Sequence, residues 1–112
     1  MSELKNYLGQ EVFVIVDRPL GSKHPKWDYF YPINYWYIPD TLAWDWKEID
    51  VHILWEDKPL SEFNGVVIAI VKRKNDNEDK LVVARKWKRF SVKEIREWTY
   101  FQEKYFDIEI IL

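Results

Sequence analysis

Short apolar runs separated by polar turns dominate the pattern of this chain and predict a mainly β protein. Most of these runs are too short for a globular helix and are bounded by Pro, Gly, Asp or Asn. The aromatic run contains Pro32 and Pro39, which prevent helix continuation. The runs occupy residues 11–16, 29–39, 49–54, 65–71, 81–84 and 107–112. The run at 65–71 is apolar on both faces, which is typical of a central strand.

One segment near the end of the chain has a helical pattern. Ser91 and Glu94 have the spacing of a capping box, in which the serine side chain caps the first turn and the glutamate bonds back to the serine amide. A helix over 91–106 would place a stripe of side chains against the sheet. That stripe consists of Val92, Ile95, Trp98, Gln102, Tyr105 and Phe106. Short strands and one late helix predict a small curved sheet or barrel with the helix packed against it.

The size and composition of the chain indicate one domain. Its 112 residues form a single predicted domain, 1–112, with a polar lead at 1–10. No apolar run approaches the roughly 20 residues that span a bilayer, and the chain has no cysteine. We therefore expect a cytoplasmic protein without disulfides and without a membrane partner. The net charge of -2 gives no overall attraction for nucleic acid, so any anion site must be local.

Two aspartates stand at the start of the third predicted strand. Asp45 precedes the strand, and Asp50 lies inside it on the face opposite its apolar neighbours. A carboxylate in an apolar strand is costly to bury unless it is paired or bound to a metal, and Mg²⁺ prefers carboxylate oxygens. This pattern makes Asp50 the best single functional candidate. The alternative is that this face is solvent-exposed, with Asp50 and His52 on its wet side.

Further charged residues cluster in predicted turns. The hairpin after the central strand contains Asp76, Glu78 and Asp79, although turn chemistry alone also explains acidic residues there. The loop at 17–28 and the segment at 85–89 are basic, and such groups either bind phosphate oxygens or are simply solvated. The loop cations are Arg18, Lys23, His24 and Lys26.

Three ordered motifs resemble those of the soluble (family I) inorganic pyrophosphatases. That family has the patterns Tyr-Pro-x-Asn-Tyr-Gly-Tyr, Asp-Gly-Asp-x-x-Asp and Glu-Asp-x-Lys-Leu. This chain has Tyr-Pro-Ile-Asn-Tyr-Trp-Tyr at 31–37, Asp-Trp-Lys-Glu-Ile-Asp at 45–50 and Glu-Asp-Lys-Leu at 78–81. Residues 101–105 resemble the family's helix, and Asp-Arg-Pro-Leu-Gly-Ser-Lys-His-Pro at 17–25 resembles a short bacterial branch of it.

The resemblance implies a five-stranded OB-type barrel with one C-terminal α-helix and a Mg²⁺ cluster at its open end. Its activity would be Mg²⁺-dependent hydrolysis of inorganic pyrophosphate, or of a related phosphoanhydride. The implied catalytic residues are Asp45, Asp50 and Lys80. The implied metal ligands are Asp45, Asp50, Asp76 and Asp79. The implied substrate-binding residues are Arg18, Tyr35, Lys80 and Tyr105, and the loop cation Lys23 is a further candidate that would substitute for a cation of the longer members.

Two departures from the family pattern concern charged residues of the longer members. Lys47 stands where longer members have the middle Asp of Asp-x-Asp, which orients the attacking water, and Phe106 stands where they have lysine. The competing interpretation is a non-catalytic OB-type barrel that binds a polyanion, single-stranded nucleic acid or a protein partner through its aromatic rim and loop cations. The order of the carboxylates favours the enzyme, and Lys47 favours the binding protein. The composition neither indicates nor excludes a homo-oligomer.

The tryptophan and glycine contents are both abnormal, at 7 Trp and 3 Gly among 112 residues. Five tryptophans fall where the short branch has glycine, at Trp36, Trp44, Trp46, Trp55 and Trp87. Several of those glycines are turn positions that need a positive φ or a close backbone approach. One hypothesis is a decoding artefact, since some bacterial lineages read UGA as glycine and others as tryptophan. The other is a genuine tryptophan cluster that stacks on bases or on a partner.

Overall fold

Six β-strands and one α-helix form the regular secondary structure of the described residues, after a short 3-10 helix at Leu4–Tyr7. The computed structural model describes residues 4–26, 28–39, 49–56, 58–74, 79–104 and 106–112. The strands are β1 (Glu11–Arg18), β2 (Asn34–Ile38), β3 (Ile49–Ile53), β4 (Glu62–Arg73), β5 (Lys80–Ala84) and β6 (Ile108–Ile111). The helix α1 (Val92–Glu103) lies between β5 and β6 in the chain. Each predicted run overlaps one strand, so the predicted order of elements is confirmed.

The first five strands close into a barrel. Around the barrel the order is β1-β2-β3-β5-β4, and β4 pairs with β1 to complete the circle. The pairing of β3 with β5 is parallel, and the other pairings are antiparallel. β6 adds to β4 outside the circle, so β4 pairs with three strands, as expected for the central strand. The predicted five-stranded OB-type barrel with one C-terminal helix is confirmed, and β6 is an additional strand.

β3 carries apolar side chains on one face and polar side chains on the other. Its residues Ile49, Val51 and Ile53 point into the barrel and belong to the interior cluster. The alternate residues, Asp50 and His52, point to the outer face, because successive side chains of a strand lie on opposite sides. This face is therefore where polar groups on β3 can meet other elements.

β4 contributes to both clusters because its register changes along its length. A shift in its pairing with β5 lies between Val67 and Ala69. Val67 and Ile70 belong to the interior cluster, whereas Ala69 and Val71 belong to the cluster that includes Ile95 of α1. An irregularity of this kind exchanges the inward and outward positions of a strand. It allows one long strand to line the barrel and also to support the helix.

Helix α1 begins at the predicted capping box. The Ser91 side chain accepts a hydrogen bond from the Glu94 amide at 3.1 Å, and the Glu94 carboxylate accepts one from the Ser91 amide at 2.9 Å. The buried residues of the helix are Ile95, Thr99 and Glu103. No helix among the described residues has the length and apolar character that crossing a membrane requires.

The predicted buried stripe of α1 is correct only in part. Ile95 is buried, but Val92 and Trp98 are 37% and 43% exposed. Gln102 and Phe106 are half-buried, and Tyr105 is outside the described residues. The helix also ends at residue 103 rather than 106. The prediction followed a stripe of mostly apolar side chains, whereas the face toward the barrel carries a carboxylate with buried partners.

Candidate active site

Three polar side chains from neighbouring strands meet on the outer face of the barrel. Asp50 Oδ2 accepts hydrogen bonds from Lys80 Nζ at 2.5 Å and from the Tyr35 hydroxyl at 3.2 Å. The Lys80 side chain is 2% exposed and the Asp50 side chain is 21% exposed. The Lys80 ammonium also lies 5.8 Å from the centroid of the Tyr35 ring. An ammonium this deeply buried needs a compensating charge, and the Asp50 carboxylate supplies one.

The strand register explains this arrangement. β3 and β5 run parallel, with Val51 beside Leu81. The residues before these two, Asp50 and Lys80, are therefore neighbours as well. Val51 and Leu81 pack inside the barrel, so the residues before them point outward. β2 is antiparallel to β3 and presents Tyr35 on the same outer face.

Gln102 connects the helix to this cluster. Its Nε2 amide donates a hydrogen bond to the Tyr35 hydroxyl oxygen at 3.1 Å. Because that oxygen accepts the amide hydrogen, the hydrogen of the hydroxyl is directed toward Asp50. The resulting series of hydrogen bonds fixes both the tyrosine ring and the carboxylate. The sequence pattern includes Gln102 in the stripe of α1 but gives no sign of this contact.

A second polar network is buried between α1 and the barrel. Glu103 accepts hydrogen bonds from Arg73 Nε at 2.8 Å and from Arg73 Nη2 at 2.9 Å, one on each carboxylate oxygen. His52 Nε2 lies 3.2 Å from Glu103 Oε2. None of these three side chains is more than 3% exposed. Two parallel bonds between a guanidinium and a carboxylate are a strong and geometrically specific interaction.

The charge states of this network follow from its burial and its partners. Burial alone would raise the pKa of the Glu103 carboxyl, but hydrogen bonds from His52 and Arg73 outweigh that effect and lower the pKa to about 2. Burial lowers the pKa of His52, and the hydrogen bond to Glu103 opposes this shift without reversing it. His52 is therefore neutral at pH 7 and donates its Nε2 hydrogen to the carboxylate. In the described part of the chain, its Nδ1 atom is buried without a hydrogen-bond partner.

Arg73 also orients Asp79. The Arg73 backbone N–H donates to Asp79 Oδ1 at 3.0 Å. Its guanidinium lies 3.7 Å from the centroid of the Phe106 ring, beyond the end of α1. Asp79 directly precedes Lys80 in the chain. Arg73, which binds Glu103 of α1, thus also orients Asp79. Asp79 is the neighbour in sequence of Lys80, which pairs with Asp50.

An aromatic pair leads from the Asp50 cluster toward Arg18. The rings of Tyr31 and Tyr35 are stacked, with centroids 5.8 Å apart. Burial raises the pKa of the Tyr31 hydroxyl, and a hydrogen bond with Tyr29 acts against that shift, followed by the charge and hydrogen bond of Arg18 and the charge of Lys80. The Arg18 guanidinium lies 4.6 Å from the centroid of the Trp36 ring. Arg18 therefore interacts with both Tyr31 and Trp36.

Comparison with known proteins identifies the fold. No protein-family model and no curated protein matches the sequence. An inorganic pyrophosphatase from Ehrlichia chaffeensis is similar in structure, with a TM-score of 0.71, 18% identity, and coverage of 91% of this chain and 85% of that one. The chain has the fold of the inorganic pyrophosphatases.

Two further pyrophosphatase structures support this identification of the fold. The alignment with the enzyme from Coxiella burnetii has a TM-score of 0.66 and 16% identity, and it covers 92% of this chain and 84% of the Coxiella chain. The alignment with the enzyme from Neisseria gonorrhoeae has a TM-score of 0.60 and 22% identity, and it covers 82% of this chain and 71% of the Neisseria chain. The resemblance based on sequence motifs is thus confirmed at the level of the fold.

On this pyrophosphatase fold, the structure brings together three of the residues that the resemblance implies, Tyr35, Asp50 and Lys80. Asp79 directly precedes Lys80 in the chain, and Arg18 is the cross-strand partner of Tyr35 in the pairing of β1 with β2. Lys23 is not in this group. Its side chain is 60% exposed and forms an ion pair with Asp28 at 3.8 Å.

Four other predicted positions lie outside the described residues. They are Asp45, Lys47, Asp76 and Tyr105. Within the described ranges, no group of three or more His, Cys, Asp or Glu side chains could hold a metal ion. Asp50 and Asp79 are the two implied metal ligands whose surroundings the structure describes.

The solvent-exposed alternative for the outer face of β3 is wrong. His52 is fully buried and Asp50 is largely buried. The buried residue Glu103 of α1 bonds to His52, so the helix covers this face. The sequence reasoning assumed that polar residues on an apolar strand either face water or bind a ligand, and did not consider a covering helix with its own polar partners.

The buried network itself was not predicted from the sequence. Arg73 stands at the end of a strand and Glu103 in a helix rich in charges, so both resemble ordinary surface residues. The available signal was the spacing of Ile95, Thr99 and Glu103, four residues apart on one helix face. Thr99 further marks this face, since its hydroxyl bonds to the Ile95 carbonyl at 2.8 Å and needs no other partner.

Proposed function

We propose that this protein hydrolyses inorganic pyrophosphate to two phosphates in a reaction that depends on Mg²⁺. The observation that carries the proposal is the buried Lys80 ammonium held against the Asp50 carboxylate on a pyrophosphatase fold. A purely structural role does not require a cation and a carboxylate at a position where the burial of charge is so costly. A phosphate-binding site does require them, because it needs fixed positive charge beside a metal-binding carboxylate.

The donor chemistry of the site fits a hard divalent cation. Asp50 and Asp79 offer carboxylate oxygens, which Mg²⁺ prefers. Asp45 and Asp76 would complete the ligand set, as the sequence resemblance implies. When bound, the metal polarises phosphoryl oxygens and lowers the pKa of a coordinated water.

The described side chains would bind and orient the substrate. Lys80 would bind phosphate oxygens from the position that Asp50 fixes, and Tyr35 would do so by turning its hydroxyl hydrogen from Asp50 to the substrate. Arg18, the cross-strand partner of Tyr35, would add a second cation. Because these groups are held in place before substrate arrives, little reorganisation is needed to stabilise charge on the transferred phosphoryl group. Tyr105 would also bind phosphate oxygens, as the sequence resemblance implies, and Lys23 would add a cation from the loop at 17–28.

The test is phosphate release from pyrophosphate with and without Mg²⁺, comparing the parent with Asp50→Asn. We expect Asp50→Asn to lower turnover by about 100-fold or more, since it removes a metal ligand and the Lys80 counter-charge. Glu97→Gln, on the exposed face of α1, is the matched control and should retain turnover. Circular dichroism of each variant separates loss of catalysis from loss of fold.

The assay should use two versions of the chain, one as given and one with glycine at positions 36, 44, 46, 55 and 87. Absence of Mg²⁺-dependent turnover in both versions, each folded, would overturn the proposal. The competing binding barrel would then be supported if single-stranded nucleic acid binds equally to Asp50→Asn and more weakly to Tyr35→Ala. Turnover in either version, abolished by Asp50→Asn, supports the enzyme.

A further inference from the structure

Four described residues have a backbone φ in the left-handed region, and two of them are tryptophans. They are Gly9 at 83°, Gly21 at 87°, Trp55 at 63° and Trp87 at 77°. This region is open to glycine, but a Cβ atom there crowds the neighbouring carbonyl oxygen, so bulky side chains are rare. In the described chain, tryptophan is the only other residue type that adopts the conformation of glycine.

The backbone around Trp87 is that of a turn with a specific glycine position. The Lys88 amide donates to the Arg85 carbonyl at 3.1 Å, which closes a four-residue turn with Trp87 in its third place. Lys86, in the second place, has no positive φ. A turn with positive φ at the third residue alone corresponds to type II, in which that position is normally glycine or asparagine.

The backbone around Trp55 is fixed from both sides. The preceding residue, Leu54, is fully buried, and its amide donates to the Val83 carbonyl at 2.9 Å. The following residue, Glu56, accepts two hydrogen bonds from Arg85 at 2.7 and 2.9 Å. These contacts anchor the chain on both sides of residue 55, where the backbone is left-handed.

The two tryptophan rings gain little that would offset this cost. Trp55 is 60% exposed and Trp87 is 81% exposed. The other two described tryptophans, Trp36 in β2 and Trp98 in α1, lie in regular strand and helix and have no positive φ. The unusual conformation is thus a property of two turn positions and not of the tryptophans in general.

We infer that glycine occupies positions 55 and 87 in the native protein, encoded by UGA codons that the source cells read as glycine. A single decoding difference explains two identical replacements at turns far apart in the sequence, whereas independent substitutions would have to coincide. Both positions are also among those where the sequence resemblance expects glycine. The inference rests on the backbone and does not depend on the proposed function.

A genuine aromatic binding surface is the competing explanation. Trp55 lies near Phe90, with centroids 6.0 Å apart, and Lys88 and Lys86 lie 5.4 Å from the rings of Trp55 and Trp87. Such a surface could stack on bases or on a partner. It requires exposed rings but not a left-handed backbone, so it leaves the two φ values unexplained.

The direct test is peptide sequencing by mass spectrometry of the protein purified from its native cells. Glycine at 55 and 87, with UGA at both codons, supports the inference. Tryptophan at either position in the native peptides overturns it.

A second test uses the recombinant chain and thermal unfolding. Trp55→Gly and Trp87→Gly should each raise the unfolding midpoint by roughly 4–8 °C, because each relieves one left-handed Cβ contact. Trp55→Ala and Trp87→Ala are the matched controls: they remove the ring but keep the Cβ atom, so they should raise the midpoint less. Trp98→Gly, in the middle of α1, should lower it. Equal midpoints for the glycine and alanine variants, or lower midpoints for glycine, would count against the inference.

Discussion

Arg73 binds both carboxylate oxygens of Glu103 and thereby ties the last turn of α1 to β4 of the barrel. The residue before Glu103 in that turn is Gln102, whose amide reaches the Tyr35 hydroxyl. The backbone of Arg73 orients Asp79 as well. The position of the candidate site therefore depends on this buried pair, although neither charged side chain has a proposed contact with substrate.

The first prediction concerns the stability of this pair. Arg73→Met should lower the free energy of unfolding by about 3–5 kcal/mol, because it leaves the Glu103 carboxylate buried without its main partner. Denaturant titration of the parent and the variant measures this difference. The double variant Arg73→Met/Glu103→Leu should lose less than the two single variants added together. Strictly additive losses would show that the two residues are not energetically coupled.

The second prediction is a loss of stability in acid. The pKa of Glu103 is lowered to about 2 in the folded protein, so its contribution is complete above its ordinary value near 4.5 and is lost as the pH falls toward 2. The lowered pKa of His52 acts in the same direction, since below its ordinary value near 6.5 the unfolded chain gains a proton more readily than the folded one.

Unfolding free energies measured by denaturant titration between pH 7 and pH 2 test this behaviour. Glu103 alone should account for about 3 kcal/mol of the decrease below pH 4.5. Glu103→Gln should be less stable at pH 7 and should lack that part of the decrease. Glu97→Gln, on the exposed face of the same helix, should keep the pH profile of the parent. If the stability of Glu103→Gln fell in parallel with that of the parent down to pH 2, the loss could not be attributed to the lowered pKa of Glu103.

The third prediction concerns the direction of the hydrogen bonds around Tyr35. Gln102→Leu should reduce kcat by roughly 10-fold with little loss of fold, because Tyr35 loses the donor that directs its own hydrogen toward Asp50. Gln102→Glu should reduce kcat further, since a carboxylate would accept the Tyr35 hydrogen itself. Steady-state kinetics gives both values.

A matched control for the third prediction is Tyr35→Phe, which removes the hydroxyl group. In the Tyr35→Phe background, Gln102→Leu should have no additional effect on kcat, because its only proposed route to the site is gone. An undiminished effect of Gln102→Leu in that background would show that Gln102 acts by another route.

The fourth prediction concerns the metal. Chelation of Mg²⁺ should abolish turnover of pyrophosphate and leave the circular dichroism spectrum unchanged, since the buried clusters hold the barrel together without an ion. Asp79→Asn should raise the Mg²⁺ concentration needed for half-maximal turnover by roughly 10-fold or more. An Mg²⁺ titration of activity measures this shift, and an unchanged half-maximal concentration would remove Asp79 from the metal site.

The sequence predicted local structure well, because local structure depends on neighbouring residues. The capping box at Ser91 and Glu94, the apolar run at 65–71 and the outward position of Asp50 all follow from spacing of two to four residues. The motif around Tyr35 also indicated the fold that the solved structures confirm. The buried face of α1 was predicted only in part, because periodicity reports which residues are apolar and not which polar residues find buried partners.

The sequence by itself therefore determined the strands, the start of the helix, the barrel class and the candidate residues Tyr35, Asp50 and Lys80. Only the tertiary structure decided that Lys80 lies against Asp50, because that contact depends on the parallel pairing of β3 with β5. It likewise decided that Glu103 is buried, because the cost of burying its charge is offset by Arg73, which is 30 positions away in the chain. Contacts between distant residues of opposite charge leave no local periodic signal, so they become visible only when the chain is folded.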